Sequence, residues 1–199
     1  MKLFLAGASG VLGRRLVPLL VEAGHEVVGL TRSAEKWSLL ESLGAEPLVG
    51  DVFDREWLMV AVATSAPDLV LSQLTDLPDD LEQIGQYTSA NARIRREGVA
   101  NLLEAAGRSG VAERFFAQSV AWELPGEGGR AVKEMESRVL GAGGTILRYG
   151  RFYGPETFHP AIPPPPPLIH LDEAARRTVS VLTARGGVFE LIEDDHLGL

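Results

Sequence analysis

Three glycines near the N terminus, Gly7, Gly10 and Gly13, constrain this chain more than any other feature. They follow a short apolar run, 2–6, and precede apolar residues at helical spacing, so the pattern predicts a strand, a tight turn and a helix. We expect Gly7 to permit the turn, Gly10 to let the backbone approach a pyrophosphate, and Gly13 to let the helix pack on the strand. The N–H groups at the start of that helix would then bind phosphates. A chance spacing is the alternative, and the flanking elements weigh against it.

The composition is that of a globular protein and narrows the classes of function. With 19 Lys and Arg against 27 Asp and Glu, the formal charge is −8, and no basic stripe appears, so nucleic acid is not an expected partner. The chain has no cysteine, and its four histidines lack ligand spacing, so we expect neither a disulfide nor a metal site. No apolar stretch reaches the roughly 20 residues of a membrane helix, and no cleavable signal is apparent, so the expectation is a cytoplasmic protein without a membrane partner. The histidines are His25, His159, His170 and His196.

Strand and helix patterns alternate along the chain. The predicted strands are 2–6, 25–31, 45–50, 69–71, one within 111–119, 145–149 and 188–192. The predicted helices are the one after Gly13, then 33–43, 54–64, 79–106, 130–140 and 171–184, with Ser33 and Asp54 as expected N-caps. This alternation predicts an α/β fold with a doubly wound parallel sheet, the Rossmann fold, helices on both faces, and a single domain over 1–199.

Five consecutive prolines, 163–167, interrupt this alternation. Proline lacks an N–H and fixes φ, so the run can be neither helix nor inner strand and is predicted to be extended polyproline II. We interpret it as a stiff connector between the sheet and the last helix, because it lies between predicted elements. The alternative is a ligand for an aromatic-lined domain.

Beyond the glycine turn, the sequence resembles the short-chain dehydrogenase/reductase superfamily, in particular its extended and atypical branches, which include NAD-dependent epimerases and dehydratases. The matching segments are GASGVLG (7–13), Thr31-Arg32, GDVFD (50–54), NARIRREGVANLLEAA (91–106), QSV (118–120), RYGRFYGP (148–155), IHLDEAA (169–175) and GVFELIEDD (187–195). The resemblance implies a nicotinamide cofactor, a small-molecule substrate and a reduced substrate-binding portion at about 151–170. It also implies a homodimer, since relatives commonly pair through the counterparts of 79–106 and 130–140.

The resemblance also assigns cofactor contacts. Asp51 would lie near the adenine ring, residues 71–74 along the nicotinamide ribose, and residues 148–153 beside the nicotinamide. Asn91 would lie near the active site. The alternatives are a turn carboxylate for Asp51 and surface positions for Asn91 and Arg148. The cofactor-binding residues expected from the turn and the resemblance together are Gly7, Ser9, Gly10, Val11, Leu12, Gly13, Thr31, Arg32, Asp51, Val52, Ser72, Gln73, Leu74 and Lys133.

The catalytic pair of the family, Tyr-x-x-x-Lys on one helix, is incomplete in this chain. Lys133 matches the lysine and would hold the ribose hydroxyls, but Gly129 stands in the place of the tyrosine. Ser119, where the family has its catalytic Ser or Thr, would bind a carbonyl oxygen, and the proton would come from Tyr149, Tyr153 or water. On this basis Lys133→Ala is expected to weaken nucleotide binding, and Gly129→Tyr to create some reductase activity if the backbone geometry allows it.

Two functions remain open at this stage. One is a nicotinamide-dependent oxidoreductase or sugar-nucleotide epimerase, and the other is a non-catalytic nicotinamide-nucleotide sensor, which the incomplete pair favours. The second strand ends in Thr31-Arg32 without a carboxylate, so Arg32 is expected to pair with a 2′-phosphate and NADP(H) is favoured over NAD(H). Arg14 and Arg15 would add positive potential. The alternative for Arg32 is a solvated surface cation.

Overall fold

Seven parallel strands form one sheet in the computed structural model, which describes residues 1–78 and 80–193. The strands are β1 (Lys2–Ala6), β2 (Glu26–Thr31), β3 (Glu46–Val49), β4 (Leu69–Ser72), β5 (Phe115–Val120), β6 (Thr145–Tyr149), β7 (Arg151–Tyr153), β8 (Leu168–His170) and β9 (Gly187–Leu191). The large sheet has the order β3-β2-β1-β4-β5-β6-β9 with every neighbouring pair parallel, and β7 and β8 form a separate parallel pair. The doubly wound Rossmann prediction is confirmed.

Helices cover both faces of this sheet. They are α1 (Gly13–Glu22), α2 (Trp37–Ser42), α3 (Arg55–Ser65), α4 (Thr88–Arg93), α5 (Val99–Arg108), α6 (Gly126–Gly141) and α7 (Leu171–Val181). One apolar core lies between the sheet and α1, α2 and α7, and a second lies between the sheet and α3, α5 and α6. Because both faces are covered, the strands consist of nearly continuous apolar residues. None of the helices in the described ranges is long and apolar enough to cross a membrane.

The strand order places the glycine turn at the topological switch point. β1 lies between β2 and β4, so the connections from β1 and from β4 leave the sheet in opposite directions. In open α/β sheets this divergence leaves a crevice outside the carboxyl ends of the strands, where ligands bind. The turn that follows β1 therefore lies at the edge where a ligand is expected.

The segment predicted as one helix over 79–106 is interrupted. The structure has a 3-10 helix at Leu81–Tyr87, then α4, a π-helical turn at Ile94–Gly98, and α5. Asp79 lies outside the described residues. A Cβ on Gly98 would lie 2.9 Å from the side chain of Val52, so the π turn packs closely on the segment after β3. Apolar spacing does not reveal the extra residue that a π turn inserts.

Helix α6 begins four residues earlier than predicted, because the glycine-rich stretch 126–129 is helical and not a loop. Asp54 caps α3 as expected, accepting from the backbone N–H of Trp57 at 3.1 Å, whereas the Ser33 side chain makes no capping bond to the described backbone. Prolines 163–167 are neither helix nor strand, and they lead from β7 to β8. The last matching segment, 187–195, ends in Asp194 and Asp195, which lie outside the described residues, as does His196.

Candidate functional site

The turn between β1 and α1 has the geometry that its glycines predict. Gly7 has a φ of +85°, and a Cβ there would lie 2.5 Å from the carbonyl oxygen of Gln73. A Cβ on Gly13 would overlap the carbonyl oxygen of Gly7, so this glycine lets α1 pack against β1. A Cβ on Gly10 would meet only that same oxygen, at 3.3 Å, which leaves the outer side of Gly10 open. The turn therefore presents bare backbone to a ligand.

The beginning of α1 combines free backbone with buried side chains. Leu12 is buried in the apolar core, and Val11 packs against the same core, so only their backbone groups are available to a ligand. Among the described side chains none caps the N terminus of α1. Its first N–H groups and the positive end of the helix dipole are therefore suited to bind phosphate oxygens.

The end of β2 lies beside this turn. The hydroxyls of Ser9 and Thr31 are 2.8 Å apart, so the turn is hydrogen-bonded to the end of β2. The Arg32 side chain is 52% exposed and pairs with Asp76, Nη2 to Oδ1, at 3.1 Å. Asp76 in turn donates its backbone N–H to Oδ1 of buried Asn91 at 3.1 Å. Asn91 is thus a buried residue beside the segment that follows β4, and not a surface residue.

The residues that follow β3 and β4 complete the same edge. Asp51 is exposed, and its carboxylate accepts from the backbone N–H two positions on at 2.9 Å, the arrangement of a turn residue. Val52, Ser72 and Gln73 are buried, and Leu74 is partly buried. The carbonyl of Gln73 lies against Gly7, so the ends of β1 and β4 touch at the glycine turn. The predicted cofactor-binding residues are brought together along one edge, with the exception of Lys133.

Tyr149 is a core residue. Its side chain is 1% exposed, its hydroxyl accepts from Nε2 of Gln73 at 3.1 Å, and it lies 2.7 Å from Oγ1 of Thr178. Burial raises the pKa of Tyr149 strongly, although both hydrogen bonds oppose the shift. The phenol is enclosed and cannot reach a substrate, and its raised pKa makes it harder to ionise. The expectation that Tyr149 is the proton donor is therefore wrong.

Tyr153 differs from Tyr149 in being partly accessible. Its hydroxyl donates to both carboxylate oxygens of Glu193, at 3.1 and 2.9 Å, and its ring packs edge-on against His170. Burial, followed by the hydrogen bond and the charge of Glu193, raises the pKa of the phenol. The same carboxylate accepts from the backbone N–H of His170 at 2.8 Å, which fixes it beside the tyrosine.

Ser119 belongs to a buried ionic cluster. Its side chain is fully buried, and its hydroxyl donates to Oε1 of Glu136 at 2.5 Å. Arg148 donates to both oxygens of Glu136, at 2.9 and 2.6 Å. Burial alone would raise the pKa of Glu136, but the hydrogen bonds from Arg148 and Ser119 lower it below its ordinary value. The expectation that Ser119 binds a carbonyl oxygen is therefore wrong, because its hydroxyl is enclosed and donates its proton to Glu136. Arg148 pairs with the same carboxylate.

Lys133 lies on the outer face of α6. Its side chain is exposed, in a shallow surface depression with Glu134, Ser137 and Arg138. The sheet-facing residue is its neighbour Val132, one helical turn before Glu136. One residue along a helix turns the side chain by about 100°, so Lys133 is turned away from the strand ends. The expected contact between Lys133 and the ribose is therefore corrected.

The position expected to hold the catalytic tyrosine is closed to any side chain. A Cβ on Gly129 would overlap the backbone carbonyl oxygen of Leu124. The neighbouring Gly128 is also buried, but a Cβ there would meet only the Leu124 side chain, at 3.8 Å. Gly129→Tyr is thus incompatible with this helix start, so the backbone geometry on which the expected gain of reductase activity depended is not met.

The two arginines at the start of α1 are already paired. Arg14 Nη1 lies 2.9 Å from Oε1 of Glu156, and Arg15 contacts both Glu156 and Asp172. Side-chain hydrogen bonds from Arg15 and the charges of both arginines lower the pKa of Glu156. The expected addition of positive potential at the turn is therefore largely offset by these carboxylates.

Two buried charged residues, Glu136 on α6 and Arg95 in the π turn, belong to no motif that marks them in the sequence. Glu136 reads as one of several acidic residues on a helix, and Arg95 as one of three arginines in a basic stretch. The one signal in the sequence is helical spacing, because Glu136 is spaced with the apolar residues Val132, Met135 and Val139, which form the buried face of α6.

Within 1–78 and 80–193, no three metal-binding side chains cluster.

The strand order and the glycine turn define the Rossmann class of folds, and comparison with known proteins narrows it. The model of the NAD dependent epimerase/dehydratase family matches residues 3–137. A 3-diazoavenalumate denitrifying reductase from a Streptomyces species is 34% identical over 181 residues, which cover 79% of this chain and 58% of the reductase. A ketoreductase of a farnesyl dihydroquinoline oxide from Stigmatella aurantiaca is 41% identical over 63 residues, 32% of this chain and 19% of that enzyme.

A solved structure supports the same fold. The UDP-glucose 4-epimerase of Thermus thermophilus, in complex with NAD, superimposes with a TM-score of 0.79 at 19% identity, over 96% of this chain and 78% of that one. The chain belongs to the NAD dependent epimerase/dehydratase family. It spans little more than half the length of the similar reductase. The description of this family names NAD dependent epimerases and dehydratases and not a non-catalytic sensor.

Proposed function

We propose that the chain binds a nicotinamide dinucleotide across the carboxyl edge of β1, β2 and β4 and acts as an NAD(P)-dependent oxidoreductase on a small carbonyl compound. The observation that carries this proposal is the glycine turn at the switch point, where Gly10 leaves bare backbone open beside the uncapped start of α1. The similar Stigmatella enzyme is a ketoreductase, which supports a carbonyl substrate, whereas the similar Streptomyces enzyme is a denitrifying reductase of a diazo compound and supports only the broader class of reductases. When bound, the cofactor would supply or accept a hydride at its nicotinamide ring.

The residues that fit this cofactor are distributed along one edge. The pyrophosphate would bind at the turn 7–13, and the adenine end would lie towards Asp51 and Val52, beside the end of β3. Ser72, Gln73 and Leu74 would border the nicotinamide end. The side chains of Ser72 and Gln73 are buried and leave mainly backbone for contact, as in the turn itself, whereas Leu74 is partly accessible.

We propose that NADP(H) is preferred over NAD(H). Within the described ranges, β2 ends at Thr31 and Arg32 follows it, with no carboxylate at the position that bonds the ribose 2′-hydroxyl in NAD sites. The guanidinium of Arg32 is half exposed, and its ion pair with Asp76 is one that a 2′-phosphate would replace with a stronger, charge-assisted contact.

Tyr153 is the proposed proton donor. It is the more accessible of the two tyrosines considered, and to act it would have to exchange the hydrogen bond that its hydroxyl donates to Glu193 for one to the substrate oxygen. Tyr153 lies in β7, which pairs with β8, and residues 151–170, which include both strands, are the proposed substrate-binding portion. Pairing of two copies remains a prediction.

Titration of the purified protein with NADPH and with NADH, followed by cofactor fluorescence, tests the proposal. We expect NADPH to bind about 10-fold or more tightly, and Arg32→Ala to remove that difference, because a charge-assisted contact contributes about 1.5–3 kcal/mol. Arg108→Ala is the matched control, since Arg108 is an exposed arginine at the end of α5 and its ion pair with Glu104 lies within that helix. Equal or tighter binding of NADH by the unaltered protein would contradict the preference, and no binding of either cofactor would contradict the proposed function.

A further inference from the structure

Asp76 lies beside Arg32, the residue proposed to bind the 2′-phosphate. Oδ1 of Asp76 is 3.1 Å from Nη2 of Arg32, and among the described residues Asp76 is the one acidic side chain that pairs with this arginine. The side chain of Arg32 is 52% exposed, whereas that of Asp76 is only 24% exposed. The carboxylate is therefore the better enclosed of the two partners, and Arg32 is the partner that is freer to change its contacts.

Asp76 is held in place through its backbone. Its N–H donates to Oδ1 of Asn91 at 3.1 Å, and Asn91 is a buried residue of α4. The segment that carries Asp76 begins at Gln73, whose N–H donates to the carbonyl of Ala6 at 2.9 Å. Both ends of the segment 73–76 are thus bonded to the rest of the fold, so the position of Asp76 does not depend on its ion pair alone.

The ion pair joins the two segments that flank the glycine turn. Arg32 directly follows β2, Asp76 lies in the segment after β4, and β1, which leads into the turn, is between these two strands in the sheet. The turn contacts the first segment through the hydroxyls of Ser9 and Thr31 and the second through the Gln73 carbonyl. A cofactor that brings a 2′-phosphate to Arg32 therefore meets Asp76 at the same guanidinium.

We infer that Asp76 is a specificity-determining residue, which competes with the 2′-phosphate for Arg32 and thereby limits the preference for NADP(H). This inference rests on the proposed function. A phosphate monoester carries nearly two negative charges and binds a guanidinium through two parallel hydrogen bonds, so it can displace the single carboxylate from this partly exposed ion pair. The displaced carboxylate stays close to the phosphate and repels it, because its backbone is anchored. NAD(H) has a hydroxyl in place of the phosphate and does not require the release of Arg32, so Asp76 opposes only the phosphorylated cofactor.

The test is the ratio of the dissociation constants for NADH and NADPH, measured by cofactor fluorescence. Asp76→Asn should raise this ratio about 10-fold by tightening the binding of NADPH, with NADH binding within about 2-fold of the unaltered protein. Asp76→Ser also removes the charge and should have the same effect, whereas Asp76→Glu keeps the charge and should keep the ratio within about 3-fold. Glu41→Gln is the matched control, since it removes one negative charge from the exposed face of α2 and should leave the ratio within about 2-fold.

A double-mutant cycle separates competition for Arg32 from repulsion of the phosphate by charge alone. In the Arg32→Ala protein there is no guanidinium to release, so Asp76→Asn should change the ratio by less than about 3-fold. An equal effect of Asp76→Asn with and without Arg32 would mean that Asp76 acts through its charge alone.

Three outcomes would overturn the inference: an unchanged or lower ratio in Asp76→Asn and Asp76→Ser, a rise that Glu41→Gln reproduces, or a full effect of Asp76→Asn in the Arg32→Ala protein. If the unaltered protein binds neither cofactor, the proposed function fails and this inference fails with it. If both cofactors bind and the ratio does not respond to Asp76, only the inference fails, so the two failures are distinguishable.

Discussion

The turn between β1 and α1 differs from the segment that runs from the end of β5 into α6, here called the corner, in how well the family motif describes its geometry. At the turn, each of the three glycines has the role that its place in the motif predicts. At the corner, Ser119 is enclosed, Lys133 faces outward, and Gly129 admits no side chain. The turn acts through backbone groups, whose placement follows from glycine itself, whereas the corner acts through side chains, whose direction depends on the phase of the helix.

This difference shows which motifs of a family correctly describe the geometry of one of its members. A glycine is required wherever φ is positive or two backbones touch, so its presence reports local geometry directly. A lysine at a motif position shows only that a cation is present, because a shift of one residue along the helix decides whether the side chain faces the sheet or the solvent. Substitutions in the two regions can therefore test whether a residue is needed for its backbone conformation or for the side-chain contact that the family motif implies.

The largest effect is expected for Gly7→Ala. The new Cβ would lie 2.5 Å from the Gln73 carbonyl, at a φ of +85°, so strain and overlap together should lower the free energy of unfolding by about 2–5 kcal/mol. Gly24→Ala is the matched control, with a φ of +80° but no described atom within 4 Å, and should lose only the strain, about 1–2 kcal/mol. Urea denaturation measures both, and equal losses would mean that the contact between the ends of β1 and β4 is looser than the structure has it.

The next effect is expected for Gly129→Ala at the start of α6. Its Cβ would overlap the Leu124 carbonyl oxygen, so we expect a loss of about 1–3 kcal/mol in the free energy of unfolding. Gly128→Ala, one position earlier, should be neutral or stabilising by up to about 1 kcal/mol, since alanine is the better helix former and has room. A stable Gly129→Ala protein would reopen the possibility of a side chain in the place of the missing tyrosine.

The sequence predicted the fold well, because alternating apolar strands and amphipathic helices admit few arrangements. It did not predict the interruption of 79–106, because helical spacing does not distinguish a single π turn at Ile94–Gly98 from a continuous α-helix. The early start of α6 was also missed, since glycine is a poor helix former and only the burial of Gly128 and Gly129 favours helix there. The role of Tyr149 depended on partners 76 and 29 residues away, Gln73 and Thr178, which no local pattern indicates.

The smallest effect, and the sharpest test of the comparison, is expected for Lys133→Ala. The side chain lies in solvent on the outer face of α6, so its removal should change the free energy of unfolding by less than about 0.5 kcal/mol. Affinity for NADPH should also stay within about 2-fold, since the ammonium is turned away from the strand ends and its charge is screened by salt. Arg32→Ala removes the same unit of charge and is the matched comparison, with an expected loss of affinity. If Lys133→Ala instead weakened NADPH binding as much as Arg32→Ala does, α6 would have to rotate when cofactor binds, and the corner would then follow the family pattern after all.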